Sequence, residues 1–464
     1  MNFLSSEFLI LAFTTVLLYL IVSSSYRQVV LLAASLIFYA AVKLEYLGLI
    51  IASSLIDYTA ALAICKYTQS RRRGYLLGIS VFLNLSLLIA FKYWNFFATG
   101  LENLSTAEIF IHDWVVPVGL SFYTLQTMGY TIDVYRGKFK AESNYSVFLL
   151  YTAFFPQLVA GPIERASKLI PQLKKLNLPS VAEVQTGILL ILWGLFIKTV
   201  VADNLAPAVQ QAYTEDQGSL LLWGLSAAAM VRVYCDFWGY TEIARGIANF
   251  FGVQLSINFR QPFLAKNLAG FWTRWHITLT RWLMDYVQVP LMKRFRKEPS
   301  RSFVAVFTLV LIGFWHGASW NFIFFGLFQG LVLIAWRYCE NIAYLRRAFL
   351  NQWISRALLM IALMLSAPMF YISDLAQLQR VLLLMTSFQS VDSEPLRYMT
   401  SLGIALLGFT LVLCHDFFAE YRGFKIENVI NKPVIIRLIV GGFLFLSVLI
   451  AGHPSGGEFV YFAF

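Results

Sequence analysis

The amino-acid sequence predicts an all-α, multi-pass membrane protein, and three observations carry that prediction. Of the 464 residues, 59% are hydrophobic and only 13% are charged, which is about half the charged fraction of a typical soluble domain. The mean hydropathy is +0.67. Apolar runs that could cross ~30 Å of hydrocarbon as helices recur from end to end. This composition excludes an ordinary soluble enzyme, and it excludes a disordered chain because disorder requires low hydrophobicity.

The apolar runs are the candidate helices, and they follow one another along the whole chain. They lie at roughly 7–23, 29–42, 46–64, 75–97, 114–132, 146–160, 182–201, 219–235, 302–316, 318–336, 353–372, 399–415 and 434–451. Several are too short for a full crossing, so we expect short re-entrant or interfacial helices among them. The first run lacks a basic leader and a small-residue cleavage site, which indicates a retained helix.

Charged loops between the runs predict the orientation. Basic clusters occur at 66–73, 293–301 and 337–356, and such clusters favour the cytoplasmic side. The loop after the fourth run carries Glu102, Glu108 and Asp113 instead. Counting back from these loops places the N-terminus outside. The positive-inside bias also explains the net charge of +11, so we expect no nucleic-acid partner.

One apolar stretch predicts a hairpin with a histidine at its turn. Residues 302–336 contain no Asp, Glu, Lys or Arg, and both flanks are basic, so the chain must enter the membrane and return. The turn falls at Gly313-Phe-Trp-His-Gly317. A neutral His316 in an apolar site could take a proton from a hydroxyl group. The alternative is a packed core histidine bonded to a carbonyl group.

A second histidine lies in a segment rich in tryptophan. Residues 270–285 read GFWTRWHITLTRWLMD, and we interpret them as one helix. An aromatic stripe then runs through Trp272, Trp275, Leu279, Trp282 and Tyr286. Arg274, Arg281 and Asp285 share a charged face, so this helix should border a water-filled cavity or the interface. The Arg side chains could hold phosphates of a donor or of lipids. The alternative is a structural helix in which His276 bonds a Thr or a carbonyl group.

The remaining ionisable residues are expected either to take no part in the chemistry or to pair with one another inside the helix bundle. His112 and His453 should be solvated, and His415, before Asp416 at a span end, should be interfacial. Pairing within the bundle is expected for the buried charges Asp57, Lys92, Asp133, Lys198, Arg232, Asp236 and Glu242. The four Cys are far apart and none has a His at metal spacing, so we expect no metal site. No P-loop, HExxH or Ser/His/Asp pattern occurs.

Five segments resemble the membrane-bound O-acyltransferase family, in the bacterial branch of alginate O-acetyltransferases and D-alanyl transfer proteins of teichoic acids. They are VPVGLSFYTLQTMGYTIDVYRG (116–137), FFPQLVAGPIERASKLIPQL (154–173), FWTRWHITLTRWLMDYVQVPL (271–291), GFWHGASWNFIFFGLFQG (313–330) and EFVYFAF (458–464). The resemblance implies one transmembrane domain over 1–464, with a signature core at roughly 114–336 and a C-terminal tail at 452–464. It implies a ring of about 11 transmembrane helices, plus short re-entrant helices, around a central septum with two funnels.

The same resemblance implies roles for matching positions. His316 matches the catalytic histidine of the family, and His276 matches the second signature histidine. Departures are Gln329 where relatives commonly have His, Gln288 where Tyr is usual, and Trp238 where a small residue is usual. These departures concern the acceptor more than the class of reaction.

The function expected from the residues and the resemblance together is O-acyl transfer, most simply of acetyl groups, in a bacterial inner membrane. The donor would be a cytoplasmic thioester, acetyl-CoA or an acyl carrier, and no bound cofactor is expected. His316 would be the general base, and His276, Asn321 or Trp315 would stabilise the oxyanion. Trp320, Trp275, Arg274 and Arg281 are the other candidate donor-binding or substrate-binding residues. A periplasmic acyltransferase partner would pass the group to a polysaccharide or to peptidoglycan, and membrane lipids surround the protein.

Three alternatives stay open at this point. D-alanyl transfer and lipid acylation would use the same fold. A transporter of polysaccharides or lipid-linked sugars would also be apolar and bury charges, but it favours inverted repeats with paired broken helices, which the sequence does not display.

The C-terminal tail poses a separate question. Residues 459–464 read FVYFAF and follow a polar link that contains Gly456-Gly457. Such a tail is too short to span the membrane, so it should anchor at the headgroups or fold back onto the protein. In the second case Tyr461 could carry the acyl group as a phenolic ester, because a phenolate is a better leaving group than an alkoxide.

Overall fold

The structure is a computed structural model that describes residues 3–102, 110–112, 114, 116–117, 119–158, 161–214, 217–342, 351–387 and 397–453. The described part is helical and contains no β-strand. Eight of its helices are long and apolar enough to cross a membrane. The prediction of an all-α, multi-pass membrane protein is therefore confirmed. The number of crossings, about 11, stays a prediction.

Each predicted apolar run overlaps one or more helices, and some helices extend well beyond the run. In chain order the first ten are α1 (Ser6–Ile21), α2 (Ser24–Ala40), α3 (Leu44–Lys66), α4 (Ser70–Glu102), α5 (Leu120–Tyr135), α6 (Tyr145–Ala153), α7 (Phe155–Leu158), α8 (Ala166–Lys174), α9 (Val181–Thr214) and α10 (Ser219–Asn249). The others are α11 (Leu268–Trp272), α12 (Ile277–Leu283), α13 (Val289–Arg294), α14 (Ser300–His316), α15 (Trp320–Asn341), α16 (Gln352–Tyr371), α17 (Leu375–Ser387), α18 (Met399–Arg422) and α19 (Val434–Ala451).

The chain forms two compact units, Met1–Ile191 with Ile243–Ser256, and Leu192–Glu242 with Ile257–Phe464. We call them unit 1 and unit 2. Helices α9 and α10 each contribute residues to both. The expected single domain over 1–464 stays a prediction, because this division does not test it.

In unit 1, helices α3, α4 and α5 pack together around Asp57. This buried carboxylate accepts hydrogen bonds from Ser80 Oγ (2.5 Å), Asn84 Nδ2 (2.9 Å) and Thr131 Oγ1 (2.8 Å). All three are neutral donors. Asp57 thus ties three helices together by hydrogen bonds, where the sequence had suggested an ion pair.

In unit 2, a stretch of α9 widens into a π-helix at Phe196–Ala202 and packs against α18 and α19. Lys198 in this stretch pairs with Asp203, and its Nζ lies 2.7 Å from Asp236 Oδ1 of α10. All three side chains are buried. Charge pairing inside the bundle, as predicted for Lys198 and Asp236, is therefore confirmed.

Candidate active site

Helices α14 and α15 of unit 2 form the predicted hairpin, and glycines set their separation. A Cβ atom built on Gly313 would lie 2.1 Å from the carbonyl oxygen of Phe322, and one on Gly326 would lie 2.4 Å from that of Leu309. Real Cβ atoms do not approach that closely, so only glycine fits at both positions. The backbones of α14 and α15 are therefore in direct contact, and the two glycines fix the register of one helix against the other.

His316 is the last residue of α14 and is 3% exposed. Its ring packs edge-on against Phe370, with 5.0 Å between ring centroids. The next residue, Gly317, is in an extended conformation, and a Cβ atom on it would lie 2.3 Å from the Phe322 ring. Glycine at this position therefore allows an aromatic wall to form next to the histidine.

Asn321 connects the start of α15 to the end of α16. Its Nδ2 donates a hydrogen bond to the carbonyl oxygen of Met369 (2.8 Å), and its Oδ1 accepts one from the Ser319 hydroxyl. Met369 precedes Phe370, the ring that packs on His316. In this structure Asn321 is a positioning residue for that ring. The side-chain amide keeps one further N–H, so the predicted oxyanion role stays open.

His276 is placed by a break in the chain, and the predicted helix over 270–285 is wrong. The segment instead forms α11, a turn at 273–276 and α12, and His276 has φ 40° and ψ 55°. Asn258 causes the break: its carbonyl oxygen accepts from Ile277 N (2.8 Å), and its Oδ1 accepts from Thr278 Oγ1 (2.6 Å). These bonds stabilise a left-handed conformation that a residue with a side chain rarely adopts.

The break brings the two histidines to the same tryptophan. The His276 ring lies 5.5 Å from the Trp315 ring and 4.7 Å from the Phe237 ring, both edge-on. Trp315 lies 5.2 Å from its neighbour His316. His276 is 1% exposed. Burial favours the neutral form of an imidazole, which is the form that can accept a proton.

The other predicted site residues fall into two groups. Trp315 and Trp275 are buried, and Trp275 packs on Phe271 with 5.3 Å between centroids. Arg281 and Trp320 are exposed. Arg274 forms a two-pronged ion pair with Glu420 of α18, with both N–O distances 2.8 Å. Its charge is therefore matched by a carboxylate in this structure. Tyr461 lies outside the described residues.

Comparison with known proteins identifies the family of the chain. The sequence pattern of the membrane-bound O-acyltransferase family matches residues 140–375. The chain belongs to the membrane-bound O-acyltransferase family. It is 33% identical to a probable alginate O-acetylase AlgI of Azotobacter vinelandii over 446 residues, which is 93% of this chain and 87% of the relative. The resemblance predicted from the five sequence segments is confirmed, and so is the enzyme class, acyltransferase.

Two further relatives carry different names. A peptidoglycan O-acetyltransferase of Helicobacter pylori is 34% identical over 333 residues, which is 65% of this chain and 63% of that protein. A teichoic acid D-alanyltransferase of Streptococcus thermophilus is 30% identical over 251 residues, or 50% of this chain and 58% of that protein. The chain therefore matches less than two thirds of the length of both relatives.

Gln329, one of the departures expected from the resemblance, is buried in α15. Its Nε2 donates a hydrogen bond to Ser366 Oγ of α16 (2.9 Å). The departure therefore adds a link between two helices that frame His316.

Sequence reasoning missed one polar cluster of this acyltransferase. His415, which the sequence places at the interface, has a side chain that is only 10% exposed. Its Nδ1 lies 3.2 Å from Asp416 Oδ1, and Asp416 Oδ2 accepts from the Tyr234 hydroxyl (2.9 Å). The available signal was the adjacent His-Asp pair at the end of an apolar run, since ionisable residues within membrane segments are costly and commonly functional.

Proposed function

We propose that this protein transfers acetyl groups from a cytoplasmic thioester to a hydroxyl group on the outer side of a bacterial inner membrane. The observation that carries the proposal is the pair of buried histidines that share Trp315 at the end of a tightly packed hairpin. The names of the relatives, two of them O-acetylating, support acetyl as the transferred group. The N-terminus would lie outside, as the basic loops suggest.

In the proposed reaction His316 accepts the proton of the acceptor hydroxyl as its oxygen attacks the thioester carbonyl carbon. A C–O bond forms, the carbonyl becomes an oxyanion, and the C–S bond then breaks. The thiolate takes the proton from the His316 imidazolium and leaves as a thiol. Nearby N–H groups of His276, Trp315 or Asn321 would stabilise the oxyanion, where a lost donor typically costs 10²–10³ in rate, on the order of 3–4 kcal/mol.

The expected depth of His316 in the membrane would allow a donor from the cytoplasm and an acceptor from outside to meet at this residue. Helix α14 begins at Ser300, beside the basic cluster at 293–301, and ends at His316. At 1.5 Å per residue these 17 residues rise about 25 Å, most of the thickness of a ~30 Å hydrocarbon core. The base would therefore lie far from the cytoplasmic loops, where an acceptor from outside can reach it.

Replacement of His316 by Gln tests the proposal. Glutamine keeps hydrogen bonding but cannot take the proton, so acetyl ester content of the cell envelope should fall on the order of 10²–10⁴-fold at equal protein level. His112→Gln is the matched control and should leave acetylation unchanged. Near-normal acetylation by His316→Gln would contradict the base assignment. Ester-linked D-alanine in place of acetate would change the transferred group but keep the mechanism.

The final acceptor belongs to the same proposal. A periplasmic acyltransferase partner would receive the acetyl group and pass it to a polysaccharide or to peptidoglycan, the kinds of acceptor named for two relatives. Tyr461 is the candidate relay between His316 and that partner. Tyr461→Phe keeps the ring and deletes the hydroxyl, so a relay would lose acetylation, whereas a membrane anchor would retain it. Full acetylation by this variant would rule out the relay.

A further inference from the structure

Two ring nitrogens in unit 2 are buried near each other without a hydrogen-bond partner. The rings of His415 and Trp193 lie 4.9 Å apart, and Trp193 is 5% exposed. Among the described residues, neither Nε2 of His415 nor Nε1 of Trp193 has a partner. A buried polar atom without a partner costs free energy, especially in a membrane protein. The pair therefore favours a ligand that satisfies both atoms.

The neighbours of His415 fix which nitrogen accepts. Asp416 Oδ1 lies 3.2 Å from Nδ1, and the Tyr234 hydroxyl holds the other carboxylate oxygen. A carboxylate accepts, so Nδ1 carries the proton and Nε2 is left as an acceptor. Trp193 Nε1 can only donate. The nearby Trp238 does not compete, because its Nε1 donates to Glu242 (3.0 Å).

One acceptor and one donor on adjacent rings suit a flexible arm that presents an amide N–H and a separate amide carbonyl on the same side. We propose that His415 and Trp193 bind the two amides in the arm of the thioester donor, with the N–H of one amide on His415 and the carbonyl of the other on Trp193. This inference rests on the proposed function, in which the donor is a thioester of coenzyme A or of an acyl carrier. Both donors have a pantetheine arm with two secondary amides. Both residues are positioning residues for the donor.

A basic cleft at the end of α18 fits the other end of such a donor. Phe424 lies 6.2 Å from the His415 ring and also lines this cleft of about 560 Å³. The cleft is lined as well by Phe418, Arg422, Asn428, Asn431 and Lys432. Helix α18 rises about 10 Å between His415 and its end at Arg422. In coenzyme A and in an acyl carrier, the pantetheine arm is linked to a phosphate. The two cations and the two side-chain amides that line the cleft can bind such a phosphate.

A series of acetyl thioesters tests the amide site. The donors are S-acetyl-pantetheine with two amides, S-acetyl-N-acetylcysteamine with one, and S-ethyl thioacetate with none. Thiol release is measured in native envelope membranes that contain the full chain, and the rate of His316→Gln membranes is subtracted. Wild type should prefer the amide-bearing donors. His415→Phe and Trp193→Phe should each lower kcat/KM about 10-fold for S-acetyl-pantetheine, which has both amides, and leave S-ethyl thioacetate unchanged.

Trp193→Phe is the safer variant, because it leaves Asp416 paired with His415. Trp223→Phe is its matched control: it deletes an indole N–H that already donates to the Met385 carbonyl oxygen (2.9 Å), and donor preference should not change. An equal loss with all three donors, or a wild type without amide preference, would overturn the amide site while thioester chemistry stands. No His316-dependent thiol release from any thioester would overturn the proposed donor, and the amide site with it.

Discussion

Asp57 of unit 1 and Asp416 of unit 2 are both buried carboxylates within candidate membrane helices, yet their partners differ in kind. Asp57 accepts from two hydroxyls and one side-chain amide, on Ser80, Thr131 and Asn84. None of these partners can take up or release a proton near neutral pH. Such a cluster can only join helices, and its free energy contributes to folding.

Asp416 instead holds an imidazole and a phenol. The bond to His415 sets the tautomer and therefore decides what the far nitrogen of that ring can bind. The bond from Tyr234 sets the orientation of the carboxylate. The comparison indicates that the chemistry of the partners, more than burial of the carboxylate, separates a polar cluster that only joins helices from one that could also bind a ligand.

The largest expected effect is loss of folding in Asp57→Ala. The change removes three hydrogen bonds: the Ser80 hydroxyl loses its acceptor, while Thr131 and Asn84 keep bonds to the backbone carbonyls of Thr127 and Ser80. A buried donor left without an acceptor costs about 1–3 kcal/mol, and each other lost hydrogen bond about 1 kcal/mol. A total of several kcal/mol is a large share of the ~5–15 kcal/mol that stabilises a typical protein. Thermal unfolding in detergent should show little folded protein. Asp57→Asn keeps one carbonyl acceptor and should be milder. An Asp57→Ala protein that folds normally but is inactive would contradict the assignment of Asp57 to folding alone.

A smaller and different effect is expected for Asp416→Asn. An amide can donate to Nδ1 of His415, which moves the ring proton to Nε2 and removes the acceptor there. Rates with S-acetyl-pantetheine should fall about 10-fold, and thermal unfolding should change little. Tyr234→Phe should act in the same direction by about 3-fold, because it loses only the hydrogen bond that orients the carboxylate. A different outcome would contradict this prediction: Asp416→Asn unfolds at a lower temperature, and the fraction that stays folded keeps its preference among the donors. The Asp416 cluster would then be structural, like that of Asp57.

The smallest effect sharpens the comparison within unit 1. Thr131→Val deletes one of the hydrogen bonds to Asp57 and should cost about 1 kcal/mol without changing donor preference. Thr124→Val on the same helix is the matched control. The Thr124 hydroxyl is buried and has no partner among the described residues, so this change should be neutral or stabilising. If the two variants lose the same free energy of unfolding, the hydrogen bonds to Asp57 contribute nothing beyond the shape of the side chains.

Hydropathy predicts the helices well, because it is a local property of the chain. The last apolar run, at 434–451, coincides with α19, and the hairpin with His316 at its turn follows from an uncharged stretch between basic flanks. The membrane selects helices wherever such runs occur, since backbone groups in lipid must bond within their own segment. For the same reason, the fold class needed no knowledge of tertiary contacts.

The break at His276 and the contact between Asp416 and Tyr234 depend on distant residues and could not be predicted locally. Asn258 bends the chain from a loop upstream of α11, and the partner of Asp416 is Tyr234, 182 residues earlier in the chain. A helical pattern of tryptophans carries no information about either contact. Arg274 is a similar case, because its partner Glu420 is 146 residues away.

The close contact between α14 and α15 also bears on how the protein is made. Gly313 meets Phe322, nine residues later, and Gly326 meets Leu309, so these contacts are local along the chain. Local contacts form fast and early. We expect the hairpin to close as soon as residues 300–341 leave the ribosome and enter the membrane. The hairpin that carries His316 would then be in place while α16 and α18 are still being translated, and the later helices would assemble against this preformed surface.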